Sequence, residues 1–456
     1  MSRSFEDGSA ETTHLKKDLD MAKSTFSRPD FDAFCMLRDS GVTIIGQHIT
    51  AEQAALECRM VDQGQFCRRC GAEARARDSI VRRVTHVPVG WRPTQLHLRL
   101  RRYRCDDCAL VWQQDTTSVV APEAKLSHAA ALWALKSVVI DRLSIARVAA
   151  NLGVSWHTAN DAVLDTGRRL LIDDPNRLTG VRVLGVDEHV WRHTRWGNRY
   201  VTVVIDLTPV ADGTGPARLL DMVPGRSKQP FITWLEAQTS AFRAGIDIVA
   251  MDGFTGYKTA AAQTLPEATT VMDPFHVVAL AGQAVDKARQ RIQQATLGRR
   301  GRKGDPLYGI RKVLKTGKEY LTERQQARRD AVFANSDHAP VQTTYDIYQK
   351  IVAAYRNPNR KKARKRLRKL IDSISHGIPN TLNELQTLGR TMKRRAADIL
   401  AYFDHVGTSN GSTEAINGRI EHLRGTALGF RNLTHYITRA LLDTGGFRTQ
   451  LHAFLR

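Results

Sequence analysis

Between Gln95 and Tyr103 apolar and polar positions alternate, with Leu96, Leu98 and Leu100 on one side and His97, Arg99 and Arg101 on the other. A period of two predicts a strand with one buried and one basic face. Over 122–176 the spacing becomes helical. Over 180–278 short apolar runs predict three strands (Val181–Val186, Arg199–Ile205, Ala217–Met222), a helix from about Ser227 to Phe242, a strand Asp247–Met251, a helix from about Thr255 to Gln263 and a strand Thr269–Met272. From 279 to 400 the pattern is helical and basic, and apolar-periodic helix continues from Thr381 onward. Residues 31–65 read as a short, partly helical segment with no assigned function, in which Cys35 and Cys58 serve as small buried hydrophobes. No apolar run approaches the ~18 residues of a membrane span. Residues 1–30 are polar, lack the apolar core of a secretory signal and are expected to be disordered.

A chain of 456 residues suggests about three domains. Hydrophobic residues at 42% and charged residues at 25% exclude a wholly disordered, collagenous or coiled-coil chain. Lys and Arg number 68 against 46 Asp and Glu, a net charge of +22. Such an excess implies a polyanionic partner, for which nucleic acid is the usual choice. Between 281 and 370 there are 24 cations and 7 anions, so most of the excess sits there. Lys361, Lys362, Arg364, Lys365 and Arg366 form its densest run, and charge this dense is expected to track a phosphate backbone.

Six cysteines are too few for a disulfide scaffold and suit a reducing cytoplasm. Cys67-Arg-Arg-Cys70-Gly71 and Cys105-Asp-Asp-Cys108 each place two thiolates in a tight knuckle, and two knuckles complete a tetrahedral shell. A structural Zn²⁺ in a zinc ribbon over 66–115 is therefore expected, with Arg99 and Arg101 on a face open to phosphates. Further on, Ser144 to Val163 has the layout of a helix-turn-helix within a DNA-binding domain at 122–176. Ile145, Val148 and Ala149 point inward, Gly153 turns the chain, and Ser155 caps a second helix. Ser155, Trp156, His157, Thr158 and Asn160 then sit where base edges of double-stranded DNA are read.

Asp187 follows the first strand of the 180–278 region and Asp252 follows the fourth. If these strands are parallel neighbours, both carboxylates emerge at one sheet edge, where α/β sheets place their sites. Asp206, ending an antiparallel second strand, falls at the opposite edge. A third carboxylate is offered by Ser412-Thr-Glu414, at a capped helix start, with Glu421 as its rival seven residues on. Three carboxylates from separate elements can hold two Mg²⁺, or Mn²⁺ in their place, for phosphoryl transfer.

These residues resemble bacterial insertion-sequence transposases with an aspartate-aspartate-glutamate triad, and more narrowly the ISL-three group. The matching stretches are Leu184-Gly-Val-Asp187-Glu188, Met251-Asp252-Gly253-Phe254-Thr255-Gly256-Tyr257, Met272-Asp273-Pro274-Phe275-His276, Ser409 through Glu414 to Arg419, and Gly429-Phe-Arg-Asn432. The resemblance covers roughly 66–450. It implies an RNase H-like mixed α/β sheet with flanking helices, interrupted by a helical insertion and preceded by the ribbon and the helix-turn-helix. The catalytic domain then falls at 180–278 and 401–456, with the basic insertion at 279–400 between them. It further implies that Asp187, Asp252 and Glu414 are the metal-binding triad, and that the chain is a DNA transposase cutting and joining at terminal inverted repeats as a homodimer or higher assembly. A non-catalytic DNA-binding repressor and a nuclease without strand transfer are the alternatives. The chain departs from relatives at Glu421-His422, where a basic residue is usual, and at Pro274, where Arg is commoner. His276 is read either as a DNA-contacting or site-ordering group, or as an ordinary histidine at a helix start.

Overall fold

In the computed structural model the described residues are 28–61, 64–194, 198–408 and 411–454. The expectation for the first 27 residues lies outside them. The chain forms two compact units, one of residues up to Ala134 plus Ile145–Ala162, the other of Leu135–Ser144 plus Val163 onward. Among the described residues no helix is long and apolar enough to cross a membrane.

The first unit is built on a sheet of β1 (Val42–Ile49), β2 (Ala54–Met60), β3 (Arg75–Val89), β4 (Arg92–Arg104) and β5 (Val111–Gln113), ordered β1-β2-β4-β3 with β5 on β4. Leu96, Leu98 and Leu100 are fully buried while Arg99 and Arg101 are exposed, as the alternation along β4 requires. The partly helical expectation for 31–65 holds at Phe31–Phe34 and the helical turn Arg38–Ser40, while a hairpin, β1 and β2, which it did not include, follows. Ala54, Leu56, Cys58 and Met60 alternate inward with period two. Ala, Glu and Met disguise that period because their own preference is helical. Cys35 and Cys58 are buried, and burial first of all pushes the Cys58 thiol up to about 12.

His86 is fully buried in this unit. Its Nε2 lies 2.7 Å from the Cys35 carbonyl, which can only accept, so the Nε2–H donates there and Nδ1 accepts from the Ser127 hydroxyl at 2.8 Å. Burial, the largest influence, lowers its pKa below 6.5. Above pH ~6.5 the ring is neutral in both folded and unfolded chains. Below it the unfolded chain takes up a proton that the folded chain resists, so stability falls with pH. Denaturation midpoints measured from pH 7 to pH 5 are expected to drop, and His86→Gln should flatten that drop.

α1 (His128–Val139), α2 (Ile145–Leu152) and α3 (Trp156–Gly167) follow the first sheet. α2 buries Ile145, Val148, Ala149 and Leu152. Gly153 takes φ +64° between α2 and α3, and a side chain there would press on Pro93 at 2.9 Å. Ser155 caps α3, accepting from the Thr158 amide at 3.1 Å.

The second unit carries a sheet of β6 (Val183–Val190), β7 (Tyr200–Asp206), β8 (Arg218–Pro224), β9 (Ile248–Met251) and β10 (Thr269–Met272), ordered β10-β9-β6-β7-β8. β7 is antiparallel to β6 and β8, while β6, β9 and β10 run parallel. The central strands are nearly continuous apolar runs because both faces are covered. One face packs on α4 (Lys228–Glu236) and α5 (Thr255–Thr264) through Leu184, Val186, Phe231, Leu235, Met251 and Tyr257. The single helix expected to Phe242 breaks after α4, where Thr239 caps a new turn by accepting from the Phe242 amide.

Between β10 and the final helices lies a helical block with its own core running from Met272 to Phe403. Its main members are α6 (Pro274–Leu297), α7 (Ala339–Arg356), α8 (Arg360–Ser375), α9 (Asn383–Arg394) and α10 (Ala396–Ala401). Asp273 caps α6 with Pro274 in its first turn. α8 buries Ala363, Leu367, Ile371 and Ile374, a helical stripe that leaves its Lys and Arg residues outside. α8 and α9 meet backbone to backbone: a Cβ on Gly389 would stand 1.8 Å from the Ile374 carbonyl oxygen. Gly389→Ala must push the helices apart and is expected to cost roughly 1–3 kcal/mol, measurable by denaturant unfolding. α11 (Gly411–Thr426) and α12 (Leu433–Thr444) return to the sheet.

Candidate active site

Side chains alternate along β6, so Leu184 and Val186 face α4 and α5 while Gly185, Asp187 and His189 face the other way. α11 lies on that second face. The Thr413 hydroxyl sits 3.1 Å from where a Cβ of residue 185 would be, Asn417 Nδ2 donates to Asp187 Oδ2 at 3.1 Å, and His189 Nε2 meets the Tyr436 hydroxyl of α12 at 2.8 Å. The match is one of rise. Four helical residues advance about 6 Å and two strand residues advance about 6.6 Å, so α11 runs along β6 in step with it.

The parallel register pairs Leu184 with Val249, Gly185 with Ala250 and Val186 with Met251. Asp187 and Asp252 are the next residues after the last pair, Asp187 continuing in β6 and Asp252 just past the end of β9. Val249 and Met251 belong to the α4–α5 face, so Asp252 continues the alternation toward α11. It leaves the strand at once, accepting from the Phe254 amide at 2.8 Å as the chain turns into α5. Both aspartates are half-buried. Their charge is felt by the Tyr257 hydroxyl, which burial first and then Asp252, Glu188 and Asp187 push upward.

Glu414 is exposed in the first turn of α11, three residues before Asn417. Glu421, four residues beyond Asn417, is committed to Arg424, whose hydrogen bonds hold its carboxyl below the usual range. Among the described residues no ion pair of that kind engages Glu414. The oxygens of Asp187, Asp252 and Glu414 do not gather as a set within 4.8 Å; among the described residues only the four paired cysteines meet that spacing. Two acceptors beside Asp187, the Thr413 hydroxyl and Asn417 Oδ1, are buried without a hydrogen-bond partner. Asp206 pairs with Leu184 at the opposite end of β6 and is tied to Arg218 at 2.9 Å.

Sequence reasoning missed the support behind Asp252. The Arg395 side chain, buried at the α9–α10 junction, donates to the Gly253 carbonyl at 3.2 Å and to the buried Asp398 carboxylate at 2.5 Å. Asp398 also accepts from Lys258 of α5 and Thr270 of β10, each at 2.8 Å. The helical block thus grips the loop that holds Asp252. No motif signals this, because its members lie up to 142 residues apart.

The cysteine knuckles are built alike. Gly71 N–H returns to the Cys67 carbonyl and Ala109 N–H to the Cys105 carbonyl, with left-handed φ of +76° and +57°. Cys67 and Cys108 sulfurs are 3.5 Å apart, and those of Cys70 and Cys105 3.4 Å. Tetrahedral thiolates at ~2.3 Å from a metal stand about 3.8 Å from one another, so the cluster can coordinate a metal ion. Burial raises the Cys67 thiol, but amide donation from Cys70 and Arg69 prevails and holds it at about 6.

Of the other sequence-predicted residues, Ser155, Trp156 and His157 are exposed and Thr158 is half-exposed. Asn160 differs from them: it is 3% exposed, its amide donating to the Asp161 carboxylate at 3.3 Å. Arg101 is open, whereas Arg99 is paired with Glu57. Lys361, Lys362, Lys365 and Arg366 face solvent, while Arg364 pairs with Asp404. His276 sits in the first turn of α6, its amide held by Asp273 and its ring edge-on to Phe275.

Residues 184–440 match the profile of a family described as transposase, of the ISL3 DDE type. The transposase for insertion sequence element IS1001 of Bordetella parapertussis is 26% identical over 383 residues, 82% of this chain and 87% of its own. The transposase for insertion sequence element IS1557 of Mycobacterium tuberculosis is 28% identical over 322 residues, 65% of this chain and 68% of its own. Among solved structures, a Drosophila P element transposase strand transfer complex covers 71% of this chain and 92% of its own at 10% identity, with a TM-score of 0.35, too low to show a shared fold.

Proposed function

The chain belongs to the ISL3-type DDE transposase family, and on that premise we propose that it is a transposase acting on DNA, recognising terminal inverted repeats and catalysing strand cleavage and strand transfer. The observation that supports this reading is the parallel register of β6 and β9, which stops at Val186 and Met251, one residue before Asp187 and Asp252, together with the bond from Asn417 of the Glu414-bearing helix to Asp187. The proposed fold is an RNase H-like sheet interrupted by the basic helical block.

Asp187, Asp252 and Glu414 are the residues to hold two divalent cations, Mg²⁺ or Mn²⁺. Hard carboxylate oxygens from separate elements suit such ions, and the orphaned acceptors of Thr413 and Asn417 support a pocket that takes further polar partners. Bound there, the cations supply activation of the attacking oxygen and stabilisation of the leaving one. The chain itself fixes the aspartates: Asn417 orients Asp187, the Phe254 amide orients Asp252, and Arg395 anchors the loop behind it. Glu414 closes the set from an exposed helix start, free to turn its carboxylate toward the aspartates. Water would attack the phosphorus of a phosphodiester, leaving a 5′-phosphate and a free 3′-OH, and that hydroxyl would attack a target phosphodiester, joining to its 5′-phosphate and expelling the target strand's 3′-OH.

Zn²⁺ is the proposed ion of the Cys67, Cys70, Cys105 and Cys108 cluster, in a structural role since four thiolates leave no open position. The proposed DNA contacts of the first unit are Ser155, Trp156, His157 and Thr158 at the start of α3, together with Arg101. Two paired ends require at least a dimer on DNA. The test is incubation of the chain with a labelled duplex carrying an element end. Mg²⁺-dependent release of a 3′-OH end, followed by joined product, is expected. Binding without any cutting leaves a DNA-binding protein, and cutting without joining leaves a nuclease.

A further inference from the structure

The second unit holds a groove of about 1210 Å³, within the helical block rather than at the acidic sheet edge. One wall is a single stripe of α6: Lys287, Gln290, Arg291 and Gln294 stand at i, i+3, i+4 and i+7 and so share a face. The opposite wall comes from the short helices Pro306–Gly309 and Arg311–Lys315, with Arg311, Lys312 and Lys315 turned to the groove and Arg300 at one end. Its lining includes no carboxylate. At its margin Asp286 takes up Arg289, Arg311 and Lys315, and Glu384 takes up Arg291. Lys287, Arg300 and Lys312 line the same groove and enter no ion pair among the described residues.

The groove is built, not a chance gathering of surface charge. Arg289 is 5% exposed and bonds the Leu307 carbonyl at 3.1 Å and Asp286 at 2.7 Å, which fixes the spacing of the two walls from below. Seven cations against two marginal acids is a costly concentration of like charge in the free chain. A polyanion relieves it, and interleaved Gln amides and the exposed Tyr308 ring suit a partner with polar edges and flat faces. We infer that this groove, and not the solvent-facing run on α8, is the principal seat for a DNA phosphodiester backbone on the helical block. The identity of the polyanion rests on the proposed DNA-acting function; the groove's preference for a polyphosphate chain does not.

The experiment measures affinity for a duplex of unrelated sequence against salt concentration, in EDTA so that no chemistry intervenes. Lys287→Gln, Arg300→Gln and Lys312→Gln combined should weaken binding about tenfold or more and make the log–log salt slope shallower by up to about 2.7, near 0.9 for each phosphate no longer neutralised. Lys361→Gln, Lys362→Gln and Lys365→Gln combined should change the slope by about 1 or less. An equal or larger change in the α8 variant overturns the inference. Should the groove variant not fold, acetylation of the native chain decides: DNA should shield Lys287 and Lys312 several-fold more than Lys361 and Lys362, and equal shielding overturns the inference. A slope change in a chain that never cuts element ends removes the transposase reading and leaves the groove. Cutting with an unchanged slope removes the groove alone.

Discussion

Asp187→Asn, Asp252→Asn and Glu414→Gln are each expected to lower Mg²⁺-dependent strand cleavage by roughly 10³-fold or more, about 4 kcal/mol of barrier, while DNA affinity stays within a few-fold. The substitutions are nearly isosteric. At 187 the amide keeps one of the two oxygens that accept from the Glu188 amide and Asn417 Nδ2, and at 252 it keeps one for the Phe254 amide, so only one of these three local hydrogen bonds is lost. What disappears is the negative charge that divalent cations require. Gel assays of cleavage and of binding, run side by side, separate the two effects. Glu421→Gln is the internal control: that carboxylate already serves Arg424, so cleavage is expected to persist. Full cleavage by the three triad variants, or its loss only at Glu421, would refute the assignment.

The second large effect concerns the cysteines. Purified chain is expected to carry close to one Zn²⁺, and Cys67→Ser or Cys105→Ser should abolish its retention and unfold much of the first unit. Cys67 precedes β3 and Cys105 directly follows β4, so the ion closes one end of the longest hairpin among the described residues. Structural zinc contributes on the order of 10 kcal/mol to small metal-bound folds, comparable to a typical domain's whole stability. Metal analysis reads the first expectation, and circular dichroism before and after a strong chelator reads the second. A chain with well under one zinc and an unchanged spectrum removes the ion from the fold. The second unit has its own cores and should keep its helices throughout.

The parts legible in the sequence are those with a local period. β4 announces itself because each leucine is two residues from the next. The acidic site is legible in part: Asp252 does follow the β9 run, but β6 continues to Val190, so Asp187 lies within its strand, just past the end of the pairing with β9. β2 carries the same alternation, but largely in residues of helical preference, and β1 buries too few side chains to show a period, so the hairpin is not announced. Asn160 shows a different limit. Its position near the start of a recognition-type helix is legible, yet the side that packs inward depends on neighbours from elsewhere in the chain. The Arg395–Asp398–Lys258 network and the basic groove are tertiary by nature. Each joins residues whose charges, viewed along the chain, look like ordinary solvated cations and acids.

The bond between Asn417 and Asp187 spans 230 residues. During synthesis both aspartates leave the ribosome long before the helix that completes their pocket. A nascent or prematurely terminated chain can therefore fold its sheet and present the basic groove while still lacking the third carboxylate. On the proposed assignment such a product would occupy nucleic acid without breaking it, so fragments of this protein are expected to act as competitors of the finished chain rather than as stray nucleases.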